Sequence, residues 1–417
     1  MPPTAIRIAV TGLGAVTPLG NDVDTLWNAL IEGRSGIRTM DRFAPRDGGL
    51  PFIAGLVQGF DAAAAVNRFA AERYDPHILY AIAAARQAVA DAGLAEFDAE
   101  RAGVIIGTGI GGFGTAEKSL ESLLCDPDAP RVSPLFMPLF LGNMAAGHVA
   151  LALGMKGPNF GVNSACASGA HALIAGVDAL RAGRADLMLC GGSEAPVTRL
   201  IMESFHGLGT LSSRRDCPEQ ASRPFDAGRD GFVIAEGAGM LVLEEWRHAE
   251  RRGARVYAEL LGVGCSSDAH HLTAMPPDGD GARRAMAECL RDAGLRPEAV
   301  GYVNAHGSST PLNDKVETLA IKRLFGEHAY KLRVNSSKSM LGHMMGAAGA
   351  VESLCTVLAL HHRLIHPTIN LRTPDPDCDL DYCVEGPVDA ADIRVGLSNS
   401  FGFGGQNACL AFGRLDA

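Results

Sequence analysis

The sequence has no excess of basic residues, because its 37 lysines and arginines are outnumbered by 47 aspartates and glutamates, and the formal net charge is −10. Proteins that bind nucleic acid generally need a basic face that displaces counterions from the phosphates. The charge balance therefore argues against general nucleic-acid binding. The 10 cysteines follow no regular spacing, and we expect free thiols rather than a disulfide framework.

Long apolar runs are also missing. The opening stretch, MPPTAIRIAVTGLG, has no basic region leading into an apolar segment, so no signal or transit peptide is expected. The longest apolar helix candidate, roughly 343–360, is interrupted by Glu352, and its first half consists of small residues. Such a segment suits close helix packing better than a membrane span. We expect a cytoplasmic protein without a membrane-spanning helix.

Short apolar, β-branched runs recur between glycine-rich turns, as in IRIAVTG, GVIIGTG, DLMLCGG and GMLVLEE. The second half repeats this rhythm with YAELLGVG, VGYVNAHG and KLRVNSS, and helices are predicted at 76–92, 165–182, 280–293 and 345–361. This alternation is typical of an α/β protein with buried strands. Because both halves end in an apolar strand after a long helix, we predict a duplicated arrangement with domains at 1–255 and 256–417.

The most informative segment is NFGVNSACASG at 159–169, which leads into a predicted helix. A strand, a turn of small residues and a helix would place Cys166 at a helix N-terminus, where free N–H groups and the helix dipole favour the thiolate. The small neighbours would let a thioester approach the sulfur. The alternative is a buried structural cysteine, which is the commoner role of a single cysteine.

Two further segments carry histidines. His306 lies in VNAHGSSTPLND at 303–314, where it follows an apolar strand, and open α/β sheets place catalytic groups at that end of a strand. His343 and Lys338 lie in NSSKSMLGHMMGAAGAVE at 335–352. Two histidines and a lysine near one cysteine would suit acyl transfer to a thiol and stabilisation of negative charge on a thioester oxygen. Each histidine alone could equally be a core residue.

A fourth segment, SNSFGFGGQ at 398–406, alternates phenylalanine and glycine. It predicts a flexible loop with a backbone N–H available to an oxyanion. A glycine hinge packed by two aromatic rings is the alternative.

Together these segments resemble the β-ketoacyl-acyl carrier protein synthases, most closely the type II elongating enzymes of dissociated fatty acid synthesis. The stretches VTGLGAVTPLG, SRPFDAGRDGFVIAEGAGMLVLEE, SSDAHHLT and PTINL extend the resemblance over essentially the whole chain. It implies a thiolase-like duplicated five-layer αβαβα sandwich, a homodimer, and condensation of an acyl thioester with malonyl-acyl carrier protein, with loss of carbon dioxide. No metal or cofactor is implied, since phosphopantetheine arrives on the carrier protein.

The resemblance also implies a role for individual residues. Cys166 would be acylated, and His306 with His343 would promote decarboxylation. The backbone N–H groups of Cys166 and Phe403 would form the oxyanion hole, and Lys338, paired with Glu352, would give electrostatic support. Phe401 would gate the acyl pocket, and Ile110 and Phe205 would line it. The residues implied to contact phosphopantetheine are Ser308 and Thr310, and those implied to contact the carrier protein are Arg68, Arg73 and Arg131.

The chain departs from the family pattern in two places. Ser308 stands where the family often has threonine, which keeps the hydroxyl group. The basic surface for the carrier protein is thin, because Asn67, Val132 and Gly209 occupy positions where lysine or arginine would be unsurprising. A ketosynthase of a specialised type II polyketide or modified-lipid pathway, with an unlike partner subunit, therefore remains an alternative.

Other classes fit less well. The run GTGIGG at 107–112 fits a dinucleotide-binding motif, but no acidic residue follows a second strand at the required distance. Metal binding by His270–His271 or His361–His362 lacks supporting ligands. A degradative thiolase would need a second reactive cysteine, whereas Cys409 lies in an apolar strand. A non-catalytic chain-length subunit would not need to retain Cys166.

Overall fold

The computed structural model describes residues 6–43, 48, 50–125 and 132–415. Its strands are β1 Ile8–Val16, β2 Ile37–Thr39, β3 Ile53–Gly55, β4 Ala102–Gly107, β5 Asn159–Val162, β6 Leu187–Glu194, β7 Gly237–Glu245, β8 Ala258–Ser267, β9 Tyr302–Asn304, β10 Arg333–Asn335, β11 Leu364–Ile365, β12 Val388–Asp389, β13 Val395–Gly402 and β14 Gln406–Gly413. Its helices are α1 Val23–Ile31, α2 Ala62–Ala65, α3 Arg68–Arg73, α4 Pro76–Asp91, α5 Phe113–Cys125, α6 Phe136–Phe140, α7 Met144–Leu153, α8 Ser168–Arg181, α9 Arg199–Gly207, α10 Trp246–Arg251, α11 Asp280–Asp292, α12 Pro311–Phe325, α13 Lys338–Leu341 and α14 Ala348–His362.

The main sheet has 10 strands in the order β10-β9-β13-β14-β8-β1-β7-β6-β4-β5. On one side of the β8–β1 junction the order is β1-β7-β6-β4-β5, and on the other it is β8-β14-β13-β9-β10. In both halves the first two pairings are antiparallel and the last two are parallel. The topology is therefore duplicated, as the repeated sequence rhythm predicts.

Helices α8 and α14 lie between the two halves of the sheet. Helix α8 packs on β4 and β6, α14 packs on β13 and β7, and the two helices contact each other. Helix α4 covers the outer face of the N-terminal half, and α11 covers that of the C-terminal half. The layers are thus helix, sheet, helix, sheet, helix, which is the thiolase-like αβαβα sandwich.

Two glycines allow the central helices to approach closely. A Cβ atom on Gly169 would lie 2.9 Å from the carbonyl oxygen of Gly346, and one on Gly349 would lie 2.9 Å from the backbone nitrogen of Ala170. Both glycines are in the first turn of their helix, so only the bare backbone fits at this crossing. The crossing places the beginnings of α8 and α14 side by side at the centre of the molecule.

Three of the strands that support this centre are buried on both faces. All residues of β1, β4 and β6 are buried, as expected where helices cover both faces of a sheet.

The predicted domain boundary after residue 255 falls between the end of α10 and the start of β8, and the division at 255/256 remains a prediction. Across the described residues, no helix has both the length and the apolar character that a membrane crossing requires.

Candidate active site

A cavity of about 290 Å³ opens at the carboxyl ends of the parallel strands, where loops from both halves meet. It brings together the three residues singled out for chemistry, since Cys166, His306 and His343 all line it. The other predicted residues that line it are Phe205, Ser308, Thr310, Phe401 and Phe403. Ile110 is not part of this lining, and its predicted contact with the acyl chain remains a prediction.

Cys166 lies in a single turn of 3-10 helix that follows β5 and leads directly into α8. Its side chain is 6% exposed. Ala165, just before it, has a φ of +50°, a region that residues other than glycine rarely occupy. Such backbone strain is typical of functional turns. The turn holds the sulfur at the cavity wall while the helix continues behind it.

Burial raises the pKa of the Cys166 thiol to about 12. The positive charge of Lys338 and the backbone N–H of Phe403, which donates a hydrogen bond to the sulfur, act in the opposite direction but are outweighed. This direction is opposite to the stabilisation of the thiolate that the helix N-terminus is predicted to give, because loss of hydration outweighs the stabilising groups. The resting cysteine is a neutral thiol with an N–H donor already beside it.

His306 follows β9, and the carboxylate of Glu317 fixes its turn. The backbone N–H groups of His306 and Gly307 donate to this carboxylate at 2.9 and 2.8 Å, and the amide of Asn399 adds a third bond at 3.1 Å. The ring nitrogen Nδ1 of His306 accepts from the backbone N–H of Phe401 at 3.3 Å. Because Nδ1 is an acceptor, the ring proton is on Nε2.

His343 is held by backbone bonds on both sides. Its N–H donates to the carbonyl of Val233 at 2.7 Å, and its carbonyl accepts from the N–H of Ala235 at 2.9 Å. Its Nδ1 accepts from the N–H of Met345 at 3.2 Å, which again leaves the proton on Nε2. The rings of His306 and His343 lie 5.3 Å apart, edge to face. The site therefore presents two imidazole N–H donors.

Both histidines are neutral. Burial holds the pKa of His306 well below its ordinary value, and the nearby charge of Lys338 and the neighbouring His343 lower it further. Burial and Lys338 likewise hold the pKa of His343 well below 6.5. A neutral imidazole with its proton on Nε2 can donate a hydrogen bond to a developing anion.

Lys338 lies behind His306 and does not line the cavity. Its Nζ donates to the carbonyl oxygen of His306 at 2.6 Å and pairs with the carboxylate of Glu352, and both side chains are buried. The predicted pairing of Lys338 with Glu352 is thus present. Burial raises the pKa of Glu352 to about 7, and Lys338 opposes this rise. The pair supports His306 from behind, out of contact with the cavity.

The entrance carries the predicted hydroxyl groups. Ser308 and Thr310 line the cavity, and their side-chain oxygens lie 3.0 Å apart. Thr310 also caps α12, because its hydroxyl accepts from the N–H of Asn313. The intervening Ser309 has a φ of +68°. This strained turn presents two neighbouring hydroxyls to any polar chain that enters the cavity.

Two of the three residues predicted to meet a carrier protein lie outside the cavity lining. Arg68 and Arg73 are on α3, with side chains 91% and 49% exposed, and both lie within ion-pair distance of Glu72. The guanidinium of Arg73 also lies over the ring of Phe69, which is itself exposed. Arg131 lies outside the described residues.

Several residues of the site were missed by sequence reasoning. Glu317 and Asn399 fix the turn of His306, and the N–H of Met345 selects the tautomer of His343. Glu317 lies in α12, a helix that the sequence analysis did not predict, and nothing in its spacing marks it. Met345 has a φ of +46°, which a glycine-rich segment alone does not reveal.

The structure argues against the dinucleotide motif at 107–112. The N–H groups that a pyrophosphate would need at Gly109, Ile110 and Gly111 all donate to the buried carboxylate of Glu194. A Cβ on Gly107 would lie 2.3 Å from the carbonyl of Ser168. These glycines therefore allow close backbone packing, and the N–H groups of this segment donate hydrogen bonds to an internal carboxylate.

The histidine pairs considered as metal ligands have structural contacts. His362 stacks on Trp27, His361 packs against Tyr257, and the Nδ1 atom of His271 accepts from the N–H of Thr273. Among residues 6–43, 48, 50–125 and 132–415, no group of three or more histidine, cysteine or acidic residues could hold a metal ion.

His366 is a buried histidine that supports the segment carrying Lys338. Its Nε2 lies 3.1 Å from the hydroxyl of Ser337, and its carbonyl accepts from the amide of Asn335 at 2.7 Å. Burial lowers its pKa from 6.5 to about 4. The folded protein therefore keeps this imidazole neutral at pH values where the unfolded chain protonates it.

We predict that His366 makes stability depend on pH between its two pKa values. Its contribution is fully present above pH 6.5 and is lost as the pH falls toward 4, because only the unfolded chain takes up the proton; the loss is about 3 kcal/mol. Denaturant unfolding at fixed protein concentration checks this. His366→Gln should lose less stability than wild type over this range, and identical pH profiles would contradict the prediction.

Comparison with known proteins gives consistent results. Residues 5–249 match the family described as the N-terminal domain of β-ketoacyl synthase, and residues 257–372 match its C-terminal domain. A protein named 3-oxoacyl-[acyl-carrier-protein] synthase 2 from Synechocystis sp. is 48% identical over 97% of both chains. A protein of the same name from Coxiella burnetii is 45% identical over 98% of this chain and 99% of its own.

Solved structures show the same similarity. A type II polyketide ketosynthase, determined in complex with its acyl-carrier protein, is 37% identical, has a TM-score of 0.91, and covers 99% of this chain and 100% of its own. The ishigamide ketosynthase/chain length factor is 36% identical with a TM-score of 0.92 and the same coverage.

Proposed function

Because this chain belongs to the β-ketoacyl synthase family, we propose that it is a 3-oxoacyl-(acyl carrier protein) synthase of the elongating kind, an acyltransferase of fatty acid biosynthesis. One observation carries the proposal. Two neutral imidazoles, each with its proton on Nε2, line the same cavity as a cysteine that already accepts a backbone N–H. This set suits a reaction in which an enolate forms next to a thioester.

In the first step, the sulfur of Cys166 attacks the carbonyl carbon of an acyl thioester carried on phosphopantetheine. The bond from that carbon to the phosphopantetheine sulfur breaks, and the proton of the Cys166 thiol ends on the released phosphopantetheine thiol. Thiol is exchanged for thiol, so no net base is required. This accounts for a nucleophile whose pKa is raised to about 12 in the resting site.

In the second step, malonyl-carrier protein occupies the cavity. The bond to its carboxylate breaks, carbon dioxide leaves, and the electron pair forms an enolate on the thioester. The Nε2–H groups of His306 and His343 donate to the enolate oxygen. Because both rings are neutral and buried, these hydrogen bonds act in a site of low dielectric constant, where they stabilise charge more than in water.

In the third step, the enolate carbon attacks the acyl group on Cys166. The carbonyl oxygen of that acyl group becomes negative and accepts hydrogen bonds from the backbone N–H groups of Cys166 and Phe403. The carbon–sulfur bond then breaks, the 3-oxoacyl product leaves on the carrier protein, and the Cys166 sulfur takes up a proton from solvent. The N–H of Phe403 suits this role because it donates to the sulfur in the resting site.

The partner of this reaction is an acyl carrier protein. Its phosphopantetheine arm would pass Ser308 and Thr310 at the entrance, while Phe205 and Phe401 contact the acyl part. Arg68, Arg73 and Arg131 would meet its acidic surface. We propose no metal and no resident cofactor, because thiol exchange and the two imidazoles supply the chemistry, and we place the reaction in the cytoplasm.

We further propose that the working unit is a homodimer formed along β5. This strand is one of the two edge strands of the main sheet, and its residue Phe160 is 46% exposed. Helix α7 packs on β5, α6 contacts α7, and α5 contacts α6. The exposed apolar side chains in or directly after these helices are Leu120, Leu123, Leu124, Met137, Leu141 and Leu151. An uncovered edge strand beside an apolar surface favours pairing with a second copy.

Light scattering should give a mass near twice 43.6 kDa. Phe160→Asp places a charge on the edge strand and should shift the protein toward the monomer, whereas Tyr330→Asp, an exposed aromatic position elsewhere, should not. A monomeric wild type, or a dimer unaffected by Phe160→Asp, would contradict the proposed interface.

The function is tested by supplying acyl-carrier proteins of several chain lengths together with malonyl-carrier protein and weighing the products. The proposal predicts 3-oxoacyl-carrier protein two carbons longer than each accepted substrate, with one carbon dioxide per condensation. Hydrolysis of the acyl group, or transfer without release of carbon dioxide, would contradict it.

A ketosynthase of a specialised type II polyketide pathway is the second candidate, and the similarity to a type II polyketide ketosynthase of known structure favours it. The higher identity, 48% and 45%, is to proteins named 3-oxoacyl-[acyl-carrier-protein] synthase 2. Repeated condensation to a longer poly-3-oxo chain, dependent on an unlike subunit, would support the second candidate. A single elongation by the homodimer would support the first.

A further inference from the structure

Glu194 is a buried carboxylate that the proposed mechanism does not use. It is the last residue of β6, it is fully buried, and it does not line the active-site cavity. Desolvation raises its pKa. A carboxylate at such a position needs hydrogen-bond donors from the protein, because water cannot reach it.

Those donors come from two separate segments. The hydroxyl of Thr108 and the N–H of Ile110 donate to Oε1 at 2.7 and 3.1 Å, and the N–H of Gly109 donates to Oε2 at 2.6 Å. The N–H of Gly346, from the C-terminal half, also donates to Oε2, at 2.9 Å. One oxygen atom of Glu194 thus joins the loop after β4 to the segment that follows His343.

Each of these two segments lies next to one of the reactive residues, Cys166 or His343. Gly109 lies against the strained residue before the nucleophile, since a Cβ on it would be 3.4 Å from the carbonyl of Ala165. Gly346 directly follows Met345, whose N–H fixes the ring of His343. A Cβ on Gly346 would lie 2.2 Å from the nitrogen of Gly109 and 2.5 Å from Oε2 of Glu194. The two segments are in contact at glycine positions that leave no room for a side chain, and the hydrogen bonds of Glu194 hold them together.

The duplicated fold accounts for the hydrogen bond between the N–H of Gly346 and Glu194. Ala165 and Met345 both have positive φ and both open a 3-10 turn that leads into a central helix. Cys166 and Gly346 are therefore equivalent residues in the two halves. In the mechanism proposed above, the N–H of Cys166 serves the substrate oxyanion. The equivalent N–H of Gly346 donates to Glu194.

We propose that Glu194 is a positioning residue that fixes the imidazole of His343 relative to Cys166, through its hydrogen bonds to Gly346 and Gly109. The inference rests on the proposed function. Loss of the carboxylate would release the backbone at 345–346, so that Met345 no longer holds the His343 ring. The decarboxylation step would then suffer more than the acylation step.

The test compares two partial reactions in Glu194→Gln. The amide keeps the size of the side chain but presents an NH₂ group to N–H donors. We expect carbon dioxide release from malonyl-carrier protein to fall by about 10- to 100-fold, with acylation of Cys166 within about threefold of wild type. Glu244→Gln is the matched control, because Glu244 is equally buried but bonds Thr11, His248 and Arg252, away from the cavity. Its ratio of the two rates should equal that of wild type.

Equal loss of both partial reactions in a folded Glu194→Gln protein, or no loss of either, would overturn the inference. If this variant does not fold, Glu194→Asp replaces it, since it keeps the charge but shortens the reach to Gly346, and the same change in ratio is expected at a smaller size. A wild type that neither acylates nor releases carbon dioxide would refute the proposed function itself. An active wild type with an unchanged ratio in the variant would refute only the role of Glu194.

Discussion

Replacing Cys166 by alanine is expected to abolish the acyl-enzyme and to lower the condensation rate by at least about 10⁴-fold, because Cys166 is the only thiol among the described residues that line the cavity. Intact-protein mass measurement after incubation with acyl-carrier protein should show no added acyl group. Carbon dioxide release from malonyl-carrier protein should persist, since that step depends on His306 and His343. The variant would thus separate acyl transfer from decarboxylation.

The matched control is Cys190→Ala. Cys190 is as buried as Cys166 and its pKa is also raised by burial, but it lies within β6 and does not line the cavity. This variant should acylate normally. Acylation of the Cys166→Ala protein at another residue, with condensation preserved, would contradict the assignment of the nucleophile.

Replacing His343 by alanine is expected to have the opposite effect. Carbon dioxide release should fall by about 10²- to 10³-fold, the usual cost of removing one donor to a developing oxyanion. The acyl-enzyme should still form, because His343 does not hold the sulfur, and burst acylation measured by mass should remain within about threefold of wild type.

His328→Ala provides the control for that variant, because His328 is half-buried and bonds the carbonyl of Val300, outside the cavity. It should leave both partial reactions unchanged. Normal decarboxylation in His343→Ala, or loss of acylation with decarboxylation preserved, would contradict the role of His343. Together with Cys166→Ala, the variants give opposite patterns that a general loss of folding cannot produce.

Much of the fold could be predicted because local patterns repeat. Predicted helices at 76–92 and 280–293 correspond to Pro76–Asp91 and Asp280–Asp292. The predictions at 165–182 and 345–361 each began three residues early, since 165–167 and 345–347 form 3-10 turns. A positive φ at Ala165 and at Met345 causes this, and neither residue type signals such a conformation.

The site residues could be predicted where they directly follow an apolar strand. His306 and the Cys166 turn follow apolar strands, and loops after parallel strands meet at one edge of a sheet. The protonation state of Cys166 was not predictable, because it depends on burial by both halves of the chain. The hydrogen bonds of Glu194 also join distant segments, and a glutamate at the end of an apolar strand gives no sign of its partners.

The central claim is that Cys166 carries the acyl group while His306 and His343 generate the enolate that removes it. Peptide mass mapping of the protein after incubation with acyl-carrier protein, before and after addition of malonyl-carrier protein, tests it most directly. We predict an acyl mass on the peptide containing Cys166 that disappears as equal amounts of carbon dioxide and 3-oxoacyl-carrier protein appear. An acyl group on a different peptide, or one that malonyl-carrier protein does not discharge, would contradict the claim.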